Sequence, residues 1–292
     1  MISKSNSIDN LENIIELRPD LDRVDVNDFS YTGVLEKPKN ELIQWLYSTL
    51  HTGHVIVEDN NSIKNLNDLN QQIVTSVKDP GISIKSQNQI VNGNNYALVH
   101  GVRINEKVDE CNSLILPCFR PNLTPGFFMF VHTQNGIHSA PIKRHYIYAD
   151  SPLYGIPLWA QCIEELISEN IDFSAKVLSS SNNYPRNDAL VFYSGKDYLK
   201  VERILTQKVQ ENPKISNINS ILAEKISENL YTAEEPYMTN GIKQSFGEHR
   251  CNAIADAIQD HFITSVNFKL LLKQRLISYG IDPDDLSKNL AK

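Results

Sequence analysis

The stretch that most limits the fold lies near the middle of the chain. From Ile171 to Leu178, Ile171, Phe173, Ala175 and Val177 alternate with Asp172, Ser174 and Lys176. Successive side chains of a strand point to opposite sides, so this alternation predicts a half-buried β-strand. A second apolar run, Ala189-Leu-Val-Phe-Tyr193, follows the polar loop Ser179 to Asn183 and the segment Tyr184-Pro-Arg186-Asn-Asp188. It ends in the turn Ser194-Gly-Lys-Asp197. A strand pair with one apolar face is not stable alone in water, and the rest of the chain has to cover it.

Further strands are expected at 96–104, 113–119 and 126–131, each short, apolar and bounded by turn residues. Helical spacing of Leu42, Ile43, Leu46 and Leu50 predicts a helix over 41–50, and that of Ile63, Leu66, Leu69, Ile73 and Val77 another over 62–77. Residues 1–38, broken by Pro19 and Pro38, read as an irregular arm with one short helix around 11–17. After a connector rich in proline and tyrosine, a helix is expected to start near Pro157, with Trp159, Ile163, Leu166 and Ile167 on its buried face. Helices follow at 198–211, 216–230, 246–263 and 266–279, the last stopped by Gly280. The expectation is an α+β fold: a mixed or antiparallel sheet flanked by helices, with an N-terminal helical layer. Residues 1–85 form that helical region and 86–292 the α+β domain, the two possibly continuous.

A net charge of −7 argues against a general nucleic-acid binder, which needs a broad basic surface. It leaves room for a local basic pocket. The four cysteines, Cys111, Cys118, Cys162 and Cys251, have no C-x-x-C spacing and no histidine pairs beside them. No metal site is expected, and a reducing cytoplasm is the simpler reading, although Cys111 and Cys118 stand at a spacing that allows a small-loop disulfide. No apolar run approaches a membrane span, so no membrane partner is expected. The polar start is also compatible with secretion through a non-cleaved signal.

Three places invite chemistry. Ser245-Phe-Gly-Glu248 matches a capping box, followed by the apolar stripe Cys251, Ile254, Ala255, Ile258 and Phe262. On that helix Arg250 projects to the margin of the stripe and towards the protein body, while His249 projects to solvent. Arg250 is then either an anion ligand near a helix N-terminus or a surface arginine paired with a carboxylate. Lys176 lies on the polar face of its strand, where it is a general base if that face lines a pocket, or a solvent-facing lysine at a sheet edge. Arg186 can offer a bidentate guanidinium to phosphate, with Asp188 holding it, or the two form a loop ion pair. There is no P-loop, no G-x-G-x-x-G and no G-x-S-x-G, so no nucleotide cofactor is expected.

Taken in order, Asn122-Leu-Thr-Pro125, Phe173-Ser-Ala-Lys176-Val, Tyr184-Pro-Arg186-Asn-Asp188-Ala, Ala233-Glu-Glu-Pro236 and Ser245-Phe-Gly-Glu-His-Arg250 resemble the HopA-type effector family over roughly residues 114–258. Some members of that family are plant-pathogen effectors. Others are encoded in clusters that make ribosomal peptides of the lanthipeptide kind, beside a kinase-like protein. In that setting the resemblance implies a phosphoserine/phosphothreonine lyase. The partner kinase phosphorylates a precursor peptide, and the lyase eliminates phosphate to leave a dehydroamino acid, with no cofactor.

Lys176 would then take the α-proton, Arg186 and Arg250 would hold the departing phosphate, and His249 is the candidate general acid. Asp188, Tyr184 and Glu234 join the phosphate- and substrate-binding set. Related chains are expected to carry an arginine and a tyrosine upstream of Asn122, where Cys118 and Arg120 stand here, so either Arg120 substitutes for the missing cation or this strand is shifted. The alternatives are a delivered effector that binds a host protein and a non-catalytic subunit that binds phosphopeptide.

Overall fold

A computed structural model describes residues 7–53, 68–91, 93–99, 102–105, 112–133, 142–216, 219–237 and 244–291. Its centre is a seven-stranded sheet in which every pairing is antiparallel. The N-terminal arm is not irregular. Helix α1 (Ile8–Ile14) runs into β1 (Ile15–Arg18), which forms a three-stranded meander with β2 (Arg23–Val26) and β3 (Phe29–Thr32). The β2–β3 turn depends on Asn27 at φ 51°, a left-handed conformation that asparagine tolerates. Helix α2 (Lys39–Tyr47) widens into a π-turn over Ser48–Thr52 and stops at Gly53, φ 67°. Helix α3 (Asn70–Ser76) falls within the helix expected over 62–77, of which residues 62–67 lie outside the described residues.

The strand expected over 96–104 divides. β5 (Gln87–Val91), β6 (Asn94–Val99) and β7 (Val102–Ile104) make a second meander. β4 (Ile82–Lys85) pairs with β8 (Ser113–Leu116). The run 113–119 also divides, because β9 (Phe119–Thr124) belongs to the central sheet beside β10 (Phe127–His132). The expected connector before α4 holds a central strand instead, β11 (Lys143–Ala149). Helix α4 (Pro152–Ser168) starts at Pro152, five residues before Pro157, which is accommodated inside it. Strands β12 (Phe173–Leu178) and β13 (Arg186–Ser194) and helix α5 (Tyr198–Glu211) follow.

In place of the helix expected over 216–230 there is a hairpin, β14 (Glu224–Ser227) and β15 (Leu230–Glu234). Asn229 at φ 65° turns it, a local signal that outweighs the helical spacing. Helices α6 (Phe246–Thr264) and α7 (Phe268–Ser278) close the chain.

The sheet runs β14-β15-β11-β13-β12-β10-β9 and is covered on both faces. On one face Ile147, Ala175, Val177, Leu190 and Phe192 pack in a core with Trp159, Ile163 and Leu166 of α4 and Val201 and Leu205 of α5. On the other, Tyr146, Val191, Tyr231 and Ala233 share a core with Leu42 and Leu46 of α2 and Phe246, Cys251 and Ile254 of α6. Directly paired residues project to the same face. The row Arg120–Met129–Lys176–Val191–Tyr146–Tyr231 therefore places Lys176 on the α2/α6 side.

Candidate functional site

The end of β13 is irregular where it meets β11. Ile147 faces Leu190 and Ala149 faces Arg186, so the β13 side carries extra residues between the two pairs. Bulges of this kind re-aim side chains. Here the irregular stretch holds Asn187 and Asp188, both buried. Arg186 grips Asp188 through Nε at 2.7 Å and Nη2 at 2.8 Å. Tyr47, at the end of α2, donates its hydroxyl at 2.9 Å to Asp188 Oδ2, the oxygen that also accepts from Arg186 Nη2. Asn187 donates its amide to the backbone oxygen of His51 at 3.1 Å, tying the π-turn to β13.

The electrostatics follow from this packing. Burial alone raises the Asp188 carboxyl, but Arg186 outweighs it and holds the group well below the ordinary range. Burial disfavours the Arg186 cation, yet Asp188 and Tyr47 more than compensate. Tyr47 is pushed far above an ordinary phenol, by burial and then by Asp188. Histidine 51 is pulled down to about 4, first by burial, with Arg186, Arg144 and Lys176 adding to it against Asp188.

Lys176 approaches the same cluster from β12. Its Nζ lies 3.9 Å from the centroid of the Phe127 ring, and Arg186 lies 5.6 Å from that centroid. No described carboxylate forms an ion pair with Lys176. Arg186 has spent Nε and Nη2 on Asp188 and leaves Nη1 without a hydrogen bond among the described residues. Further along the same face, Arg144 on β11 is bound to Glu235 through Nε and, at 2.9 Å, through Nη2, and it lies 5.2 Å from the Tyr193 ring centroid.

The remaining residues singled out in the sequence lie elsewhere. The expected capping box at Ser245 and Glu248 is present. Arg250 does point inward, and it is buried, with no carboxylate at ion-pair distance among the described residues. It donates from Nε to the Leu286 carbonyl at 3.0 Å and from Nη2 to the Lys288 carbonyl at 3.0 Å and Asn289 Oδ1 at 3.1 Å. Burial pulls this guanidinium down to about 10. His249 does not project to solvent. It is buried, with Nδ1 2.9 Å from Arg250 Nη1 and its ring edge against Tyr279. The helix projection failed there because α7 and the C-terminal segment cover a second side of α6.

Glu234 accepts from the Asn289 backbone at 2.9 Å, so it belongs with Arg250 in fixing the C-terminal segment. Tyr184 is buried in the core on the α4 side and donates to the Leu178 carbonyl at 3.4 Å. Arg120 is occupied by its own strand, donating to the carbonyls of Pro117 and, at 2.8 Å, Phe119. The structure thus brings Lys176, Arg186 and Asp188 together, and sets Arg250, His249 and Glu234 in a second cluster.

Sequence reasoning missed Tyr47, His51, Phe127 and Arg144. Only Phe127 had a usable signal, since it opens an expected strand that pairs with the strand of Lys176. Cys118, Cys162 and Cys251 are free thiols. Among the described residues there is no cluster able to hold a metal ion, and no helix long and apolar enough to cross a membrane.

Fold and site together define an α+β protein with a buried ion-paired cluster and, on the same face of an antiparallel sheet, a lysine that pairs with no described carboxylate. The chain belongs to the HopA1 effector protein family, whose sequence profile matches residues 118–287. Among solved structures it is similar to the effector protein from Pseudomonas syringae pv. tomato strain DC3000, at 19% identity and a TM-score of 0.43. That match covers 56% of this chain and 63% of the effector. The effector protein from Pseudomonas syringae pv. syringae strain 61 is similar at 18% identity and a TM-score of 0.43, with the same coverage, 56% and 63%. The chain therefore spans less than two thirds of either effector. A search of curated proteins gave no match.

Proposed function

We propose that this protein is a phosphoserine/phosphothreonine lyase acting on a phosphorylated precursor peptide made by a separate kinase-like partner. The observation that carries the reading is the pair of cations on Phe127. Arg186 is neutralised by Asp188 but has no described hydrogen-bond partner at Nη1, while Lys176 stands beside it with no described counter-ion. The pair has a net positive charge and suits a phosphate dianion.

In the elimination, Lys176 first passes its ammonium proton to the phosphate dianion it holds, and the amine so formed removes the α-proton. The electron pair of the Cα–H bond forms the Cα=Cβ bond, and the Cβ–O bond breaks with its pair passing to the phosphate oxygen. Phosphate leaves readily only if cations offset that charge, which is the task given to Arg186. The products are a dehydroalanine or dehydrobutyrine residue and inorganic phosphate. Arg250 and Glu234 are left the task of holding the C-terminal segment, with His249 packed on Arg250. The work is assigned to the cytoplasm of the producing cell. Delivery as an effector is compatible with the same chemistry, because family membership describes where such proteins act and not which bond they break.

The test is incubation of the full chain with a synthetic phosphothreonine peptide, followed by intact mass. Loss of phosphoric acid, slowed roughly 10²- to 10⁴-fold in Lys176→Ala, is the expected result. An unchanged mass, with binding that disappears in Arg186→Ala, makes the protein a phosphopeptide-binding module instead.

A further inference from the structure

Tyr47 lies outside the family-matched residues 118–287, yet it touches the candidate cluster directly. Asp188 Oδ1 accepts from Arg186 Nε at 2.7 Å. Its Oδ2 accepts from Arg186 Nη2 at 2.8 Å and from the Tyr47 hydroxyl at 2.9 Å. Arg186 Nη2 also lies 3.5 Å from the Tyr47 oxygen, which closes a triangle of three side chains.

The two parallel bonds of the fork hold arginine and carboxylate in one plane, but they leave the pair free to swing together about its side-chain torsions. A third bond from a separate element removes that freedom. Tyr47 can supply it because it is itself fixed. A Cβ at Gly247 of α6 would stand 2.3 Å from Tyr47 Cε2, so the ring has no room on that side. A second neighbour, His51, lies 5.5 Å away between ring centroids and is tied to β13 by the bond from Asn187 to its carbonyl.

The exposure of the ion pair is uneven. Asp188 keeps 2% of its side chain exposed and Arg186 keeps 15%, so solvent reaches the cation and hardly its counter-ion. A guanidinium is planar and rigid, so fixing Nε and Nη2 also fixes Nη1.

We propose that Tyr47 is a positioning residue of the phosphate site: it pins Asp188, and through Asp188 it holds Arg186 with Nη1 set for a phosphate oxygen. The inference rests on the phosphate reading above and makes the N-terminal layer part of that site. The hydroxyl acts through Asp188 and not on the substrate. With the fork set in advance, binding has one long side chain fewer to order.

The test takes the full chain with ¹⁵N-labelled arginine and the variant Tyr47→Phe, which removes the hydroxyl and keeps the ring. The Arg186 Nε–H signal, assigned by its loss in Arg186→Lys, is expected to stand apart from those of exposed arginines and to move towards them in Tyr47→Phe. Affinity for inorganic phosphate should fall about tenfold in Tyr47→Phe, the lower end of what a hydrogen bond to a charged group is worth. In an Arg186→Lys background, which keeps the charge and loses the fork, the same change should cost less than about twofold. An unmoved Arg186 signal, an unchanged affinity, or an equal loss of affinity in both backgrounds overturns the inference and leaves Tyr47 a packing residue. Failure of the wild-type protein to bind phosphate at all is a different result. It sinks the anion-site reading, and the phosphate role of Tyr47 with it, even where the Arg186 signal moves.

Discussion

Lys176 Nζ stands 3.9 Å from the centroid of the Phe127 ring, the closest cation–ring approach in the described structure. The two residues sit on neighbouring strands: Phe127 pairs with Leu178, two positions from Lys176. Arg186 shares the ring at 5.6 Å. One aromatic face thus steadies two like charges that would otherwise repel each other.

Replacing that face while keeping its bulk separates electrostatics from packing. In Phe127→Leu the cation–π attraction, worth about 0.5–2 kcal/mol, disappears while the side chain stays apolar. Affinity for a phosphothreonine peptide should fall by up to roughly two- to thirtyfold, with the circular dichroism spectrum unchanged. Calorimetric titration reads the first and rules out unfolding as its cause.

Gly247 is required by close approach. A Cβ there would stand 2.6 Å from Tyr47 Cδ2 and 2.8 Å from His51 Cδ2, and both rings are locked by hydrogen bonds. Gly247→Ala should destabilise the fold by about 1–3 kcal/mol, the usual cost of overpacking. Urea unfolding gives the number, and an unshifted midpoint would show that the π-turn yields easily.

Arg250 holds Leu286, Lys288 and Asn289 with a planar fork that lysine cannot copy. Arg250→Lys should cost about 2–4 kcal/mol and open the C-terminal segment to protease. Arg186→Lys should weaken phosphopeptide binding with no such change in cleavage. Peptide mapping after brief digestion distinguishes the two arginines.

Stability should fall as the solution is acidified through the histidine range. His51 and His249 are both lowered by burial from 6.5 to about 4. Above 6.5 neither state binds the extra proton and stability is full. Between 6.5 and 4 the unfolded chain is protonated and the fold is not, so stability is lost, on the order of 3 kcal/mol per histidine. The gap between urea midpoints measured at pH 7.5 and 4.5 should narrow in a His51→Gln, His249→Gln double variant, with His145, also lowered by burial, keeping part of it.

How far the sequence revealed this arrangement depended on where each partner lies. The strand β12 and the capping box of α6 are local signals and both appear, although β12 lies inside the sheet with both faces covered rather than half-buried. β11 was hidden because Lys143-Arg-His-Tyr reads as polar, and the reason Arg144 can be buried lies 91 residues away at Glu235. The β14–β15 hairpin hid behind helical spacing that its asparagine turn overrides. The Lys176–Arg186–Asp188 grouping was half visible, since Arg186 and Asp188 are near neighbours in the chain. Tyr47 and His51 carried no motif at all. Their place follows from the packing of α2 on α6, which is a property of the completed tertiary structure.

The bond from Tyr47 to Asp188 joins residues 141 positions apart, and Gly247 closes against Tyr47 and His51 from further along still. A ribosome works from the N-terminus, so α2 is made early and must wait for β13 and then for α6. The Tyr47–Asp188–Arg186 cluster cannot assemble on a nascent chain shorter than about this length. Any chemistry at this cluster is withheld during synthesis and begins only when most of the polypeptide has left the exit tunnel.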